Sequence, residues 1–179
     1  FGLIFHVSLK LLYDPFLNKE LNSGDFEKLA NESLIKETIS RAISITLKTS
    51  SKILSNSYSD TLLSDVIFKY IKLMISFDKS SSNLTLKGLE KRESIDLLIN
   101  NQSVKISGII DRIDYNEGKH RIIDYKTGNI TNSLNTFEDL FKDSRDPKFG
   151  SITQVLLFSL MYERQVFTKV CPGLLNINS

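Results

Sequence analysis

The sequence predicts an α/β fold in which helices flank a mixed β-sheet and an additional helical part comes first. Over residues 1–80, apolar side chains recur mainly at spacings of three and four, which is typical of helices. From residue 84 onward, short apolar segments alternate with turn residues, which is typical of strands. We therefore expect one domain over 1–179, with a helical part over 1–80 and an α/β core over 84–179.

Three helices are predicted in the first 80 residues. Apolar residues from Leu3 to Leu12 define the first helix, and Pro15 limits it because proline cannot continue a helical hydrogen-bond pattern. A second helix is predicted from about Asp25 to Lys48 and a third from about Asp60 to Phe77.

Three consecutive strands separated by short turns predict an antiparallel meander. The apolar segments cover 94–99, 104–110 and 121–126, and Asn- and Gly-containing turns lie between them. A short helix over 134–141, a stronger helix over 151–165 and a final strand over 168–177 complete the predicted sheet and its cover.

Composition excludes several classes of protein. The 23 basic and 21 acidic residues give a net charge of +2, so local basic clusters, not overall charge, must carry any nucleic-acid contact. A single cysteine, Cys171, excludes an intrachain disulfide and fits a reducing, cytoplasmic location. No apolar run reaches the roughly 18 residues of a membrane span. Because the chain lacks an initiator Met, we expect it to be part of a longer protein.

Acidic and basic side chains are predicted to converge at the end of two strands. Asp124 and Lys126 are two residues apart, so they share one face of a strand, and Asp111 follows the preceding strand. Two close carboxylates repel each other unless a cation lies between them. Mg²⁺ or Mn²⁺ binds such oxygen ligands and activates water, and Lys126 can stabilise charge on a phosphate. The pattern therefore predicts phosphodiester hydrolysis.

Two other interpretations of the same residues remain open. An Asp-x-Lys pair on a strand is commonly a surface ion pair that contributes little to stability. The domain could then be a binding module for DNA or a partner protein, or a purely structural scaffold. A metal site that depends on Asp111 or Asp124 would favour the enzyme over both.

Four segments resemble the nuclease domains of the RecB and AddB type within the PD-(D/E)XK class. They are Gly2-Leu-Ile-Phe-His6, Gly108-Ile-Ile-Asp-Arg-Ile-Asp114, Asp124-Tyr-Lys-Thr-Gly128 and Gln154-Val-Leu-Leu-Phe158. They occur in the family's order, and the segment from Asp111 to Lys126 is the most specific. One departure is Phe158, which stands where the family usually has tyrosine. Either Tyr162, one turn later, partly replaces that hydroxyl, or the hydroxyl is dispensable.

The resemblance implies a restriction-endonuclease-like core and a role for each matching residue. Asp111, Asp124, His6 and the Tyr125 carbonyl would bind Mg²⁺ or Mn²⁺. Lys126 would be the catalytic lysine, and Gln154 would position DNA or that lysine.

The resemblance leaves one ligand undecided and implies a partner. The family's upstream glutamate is matched loosely by Glu90, with Glu93 as the competing candidate. Some members carry a four-cysteine iron–sulfur cluster, which is not expected here because the chain has one cysteine. The implied activity is an exonuclease-type deoxyribonuclease, fused to or associated with a helicase, in double-strand-break repair and recombination.

Overall fold

The computed structural model describes residues 1–49, 57–81, 83–128, 136, 138, 140 and 149–177. Contacts divide the chain into two compact units, Phe1–Leu86 and Lys87–Ser179. None of the helices within the described residues is long and apolar enough to cross a membrane.

The first unit is mainly helical, as predicted. Its elements are α1 (Gly2–Tyr13), a short 3-10 helix (Asp14–Phe16), α2 (Ser23–Leu29), α3 (Glu32–Thr49) and α4 (Ser57–Lys79). Along α1 the side chains of Phe5, Leu9 and Leu12 are buried. The Tyr13 hydroxyl donates a buried hydrogen bond of 2.7 Å to Asp78 Oδ2 of α4, which ties these two helices together.

The prediction of one long helix from Asp25 to Lys48 was wrong, because two helices occupy this region. α2 begins with a capping box between Asn22 and Asp25 and ends at Leu29, with Ala30 as its C-cap residue. The Asn31 side chain then accepts a hydrogen bond from the Leu34 amide (3.0 Å), which caps the start of α3. Apolar spacing continues across the break, so periodicity alone did not reveal it.

The second unit is built around the sheet. Its elements are β1 (Thr85–Ile99, which begins two residues before this unit), β2 (Gln102–Asn116), β3 (Lys119–Lys126), α5 (Gly150–Val166) and β4 (Val170–Asn176). Among the described residues, four strands form one sheet in the order β1-β2-β3-β4. Because β2 and β3 are antiparallel while β3 and β4 are parallel, the predicted mixed sheet is confirmed.

Two strands are longer than predicted. β1 begins at Thr85, nine residues before the predicted start, and β2 continues to Asn116. Asp111 therefore lies inside β2, and not at its end as expected. The predicted strand ended at residue 110, before Arg112 and Asp114, whereas both of these residues are buried within β2.

Helix α5 covers one face of the sheet through Val155, Phe158, Met161 and Tyr162, which form a core with Ile110, Ile113, Ile122 and Val170. The Phe158 ring lies so close to Gly108 that a Cβ added at residue 108 would overlap it. Helix α5 can therefore pack this closely on β2 only because residue 108 is glycine. The predicted helix over 134–141 lies almost wholly outside the described residues.

Candidate active site

The carboxylate of Asp124 and the ammonium of Lys126 meet at the C-terminal end of β3. Strand alternation places both on one face, and Lys126 Nζ lies 2.7 Å from Asp124 Oδ2. Lys126 Nζ also donates a 3.2 Å hydrogen bond to Gln154 Oε1, near the start of α5. Asp124 is 2 % exposed, so it is held in a largely water-free position beside the lysine.

Asp111 adds a second buried carboxylate from the neighbouring strand. The β2–β3 register pairs Arg112 with Ile123, and one further step sets Asp111 beside Asp124. Asp111 Oδ2 accepts a 2.9 Å hydrogen bond from the Tyr125 backbone amide, which fixes the orientation of the carboxylate. The structure therefore brings Asp111, Asp124, Lys126 and Gln154 to one end of the sheet.

A third carboxylate, that of Glu90 on β1, joins Asp111. Carboxylate oxygens of the two residues lie within 4.8 Å of each other. Glu90 has a positive φ of 49°, which is unusual for a non-glycine residue inside a strand and costs energy. Because strained backbone concentrates at functional sites, this conformation supports Glu90 as a participating residue.

Glu93 has different partners, at the far end of α5. Its carboxylate forms an ion pair with Lys91 (2.6 Å) and accepts a hydrogen bond from Gln165 Nε2 (2.6 Å). Burial opposes ionisation of Glu93, but these two partners together hold its pKa below the ordinary value. Of the two glutamates that the sequence left open, Glu90 is the one beside Asp111.

The aromatic residues of α5 do not supply the hydroxyl expected from the resemblance. The Tyr162 ring lies 5.6 Å from the His120 ring and beneath Lys91 Nζ, 5.8 Å away. His120 precedes Asp124 by four strand residues, or about 13 Å. The interpretation that Tyr162 replaces the hydroxyl was therefore wrong. Phe158 serves as core packing over Gly108.

Burial also shifts two pKa values at this far end. It lowers the pKa of His120, to which the charge of Lys87 adds, and thereby favours the neutral imidazole. Burial likewise raises the pKa of the Tyr162 hydroxyl, with Lys91 opposing that shift and Glu93 adding to it.

The opposite face of β2 and β3 carries a buried charge cluster. Arg112 Nε donates to Asp114 Oδ2 at 2.8 Å, and Arg121 donates to both oxygens of Asp114 at 2.7 and 3.0 Å. Asp114 is fully buried. Both oxygens of its carboxylate are thus hydrogen-bonded to guanidinium groups, on the face of the sheet opposite to Asp111 and Asp124.

Two further predicted ligands remain predictions. His6 lies on α1 in the first unit, where it is half-buried and its ring centroid is 6.1 Å from that of Phe5. The Tyr125 side chain is buried on the Arg112 face, and its backbone lies between Asp124 and Lys126.

The donor set fits a small divalent cation. Two oxygens bound by one Mg²⁺ at about 2.1 Å lie no more than about 4.2 Å apart. The Glu90 and Asp111 oxygens already approach that spacing, at less than 4.8 Å. Without a cation, carboxylates this close repel each other, and burial strengthens the repulsion. A hard divalent ion relieves it, and one lysine supplies only a single positive charge.

Comparison with known proteins agrees with this geometry. The family model described as the PD-(D/E)XK nuclease superfamily matches residues 1–173 of the chain. No curated protein matches the sequence. The α/β architecture with a mixed sheet is consistent with the restriction-endonuclease-like fold of that superfamily.

Proposed function

The chain belongs to the PD-(D/E)XK nuclease superfamily, and we propose that it hydrolyses DNA phosphodiester bonds with the help of Mg²⁺ or Mn²⁺. One observation carries the proposal: buried Asp111 and Asp124, the strained Glu90, and Lys126 belong to neighbouring strands of one sheet and converge in two close pairs. A scaffold would gain nothing from placing the like charges of Glu90 and Asp111 within 4.8 Å of each other.

The proposed metal ligands are the carboxylates of Asp111 and Asp124, the backbone carbonyl of Tyr125 and the imidazole of His6. Glu90 is proposed as a further ligand because of its spacing from Asp111. His6 and the Tyr125 carbonyl are supported by the sequence resemblance. These are mainly oxygen donors, which suits Mg²⁺ and Mn²⁺.

The bound ion would supply Lewis-acid polarisation of the phosphate and a more acidic water. The chain's own residues then orient the reaction. Lys126, held between Asp124 and Gln154, presents an ammonium that binds the attacking water or the phosphate oxygens. Water adds to phosphorus, one ester P–O bond breaks, and the leaving oxygen takes up a proton, giving a phosphomonoester and an alcohol.

The biological setting is proposed from the same family resemblance. We propose an exonuclease-type deoxyribonuclease that acts on DNA delivered by a fused or associated helicase, in double-strand-break repair and recombination. A cytoplasmic location is proposed because a single cysteine, Cys171, suits a reducing compartment.

The experiment compares Lys126→Ala with Lys91→Ala in an assay of Mg²⁺-dependent DNA cleavage. Each lysine forms an ion pair with a strand carboxylate, at 2.7 and 2.6 Å respectively. We expect Lys126→Ala to lower kcat by about 10²- to 10³-fold, the usual loss for one electrostatic group in an active site. Lys91→Ala should cleave like wild type. Full cleavage by Lys126→Ala would remove the assigned site. No Mg²⁺-dependent cleavage by wild type would favour a module that binds DNA without cutting it.

A further inference from the structure

We propose that Arg112 and Asp114 are positioning residues, which hold the metal-binding carboxylate of Asp111 in place from the opposite face of the sheet by way of Tyr125. This inference rests on the proposed function, because it explains how the ligands of the proposed metal site are held in position.

The ion pair between Arg112 and Asp114 is unusually deep. Arg112 is 1 % exposed and Asp114 is fully buried, with a 2.8 Å bond between them. A buried ion pair adds little to stability compared with apolar residues of the same size, because both charges lose their hydration. Its presence next to the candidate site therefore points to a role in fixing geometry.

Arg112 reaches the strand that carries the site. It pairs with Ile123 across the β2–β3 ladder, so Tyr125, two residues further on, is its diagonal neighbour on the same face. Arg112 donates through Nη1 to the Tyr125 hydroxyl over 3.4 Å, while its Nε remains on Asp114. A bond of that length is weak alone. The buried guanidinium and phenol nevertheless restrict the position of residue 125.

Tyr125 connects this cluster with the site. Its backbone amide donates the 2.9 Å hydrogen bond to Asp111 Oδ2, and it lies between Asp124 and Lys126 in the chain. Any displacement of the Tyr125 backbone therefore moves three proposed functional groups at once. Residues behind metal ligands commonly affect metal affinity by about 10- to 100-fold.

The test measures the Mn²⁺ dissociation constant of Arg112→Lys in the full chain, at a temperature where circular dichroism shows the variant folded. Lysine keeps the charge beside Asp114 but lacks the planar fork by which separate guanidinium nitrogens bond Asp114 and Tyr125. Arg121→Lys is the matched control, because Arg121 bonds the same Asp114 carboxylate. We expect Arg112→Lys to weaken Mn²⁺ binding by about 10- to 100-fold and Arg121→Lys by less than about threefold.

Tyr125→Phe provides a second, milder variant if Arg112→Lys fails to fold. It removes only the hydroxyl near Arg112 and should weaken Mn²⁺ binding by about 2- to 10-fold, the equivalent of one hydrogen bond. Wild-type affinity in Tyr125→Phe would then overturn the inference.

Other outcomes separate this inference from the proposed function. If Arg112→Lys and Arg121→Lys lose affinity equally, or neither loses any, the positioning role is wrong while the metal site stands. If wild type and Asp111→Asn bind Mn²⁺ equally well or not at all, the proposed function fails, and the positioning role fails with it.

Discussion

The two ends of α5 present the same three kinds of side chain to the sheet. At one end are Asp124, Lys126 and Gln154; at the other are Glu93, Lys91 and Gln165. Both sets contain a strand carboxylate and a strand lysine two residues apart, at 2.7 and 2.6 Å, with a glutamine from the helix. An acid and a lysine at alternate strand positions are therefore no signature of catalysis by themselves.

The ends differ in what surrounds this common set. On the strands next to Asp124, carboxylate oxygens of Asp111 and Glu90 lie within 4.8 Å of each other, the grouping for which a cation is proposed. Beside Glu93, the neighbours are the rings of Tyr162 and His120, and Lys91 already balances the acid. The grouping of the Glu90 and Asp111 carboxylates, more than any single motif, distinguishes the proposed active end from the structural end.

Metal affinity should show the largest difference between the two ends. Asp111→Asn should weaken Mn²⁺ binding by at least about 100-fold, because a neutral amide oxygen binds a divalent cation more weakly than a carboxylate, whereas Glu93→Gln should bind like wild type. Isothermal titration calorimetry of both variants provides the measurement. Without metal, Asp111→Asn should unfold at or above the wild-type temperature, since it removes repulsion with Glu90. An equal loss of Mn²⁺ affinity in Asp111→Asn and Glu93→Gln would contradict the proposed difference between the two ends of α5.

An intermediate effect is expected for the two glutamines. Gln154→Ala removes the 3.2 Å bond to Lys126 and should lower kcat/KM for DNA cleavage about tenfold, the equivalent of one hydrogen bond. Gln165→Ala removes the 2.6 Å bond to Glu93 and should leave cleavage unchanged. Steady-state rates of DNA cleavage by the two variants provide the measurement. A slower Gln165→Ala enzyme would show that the two ends of α5 are coupled and would contradict the prediction.

The smallest effect is a pH dependence that belongs to the structural end. The pKa of Glu93 is lowered in the folded protein, so its ion pair stabilises the fold above the ordinary value of 4.5 and is lost as pH falls through the lower, folded value. Lys91 is half exposed, so solvent screens its ion pair with Glu93. The melting temperature of the wild type should therefore exceed that of Glu93→Gln by no more than about 3 °C at pH 7. That difference should shrink below pH 4.5 in thermal melts. A constant difference from pH 7 to pH 3 would contradict this origin.

Several features of the proposed active end could be predicted from the sequence. Strand alternation places Asp124 and Lys126 on one face, and the meander places Asp111 beside Asp124. Periodicity predicted the helix over 151–165, and the family resemblance implied the place of Gln154 beside Lys126, where a 3.2 Å hydrogen bond now joins them.

Other features depend on backbone details that residue patterns do not encode. Choosing Glu90 over Glu93 required the positive φ at Glu90, which interrupts the regular alternation of β1. The hydrogen bonds of Asp114 to two arginines were not predicted, because the predicted strand ended at residue 110 and mutual pairing is what allows these charged residues to be buried in β2. The division between α2 and α3 was not predicted, because the helix breaks at the Asn31 cap while the apolar spacing continues across the break.

The most direct test of the central claim is the position of a bound ion in crystals soaked with Mn²⁺. Anomalous scattering at the manganese edge should show a peak bonded to carboxylate oxygens of both Asp111 and Asp124 at about 2.1 Å. A manganese peak elsewhere in crystals of a preparation that cleaves DNA, with none at Asp111 and Asp124, would contradict the account.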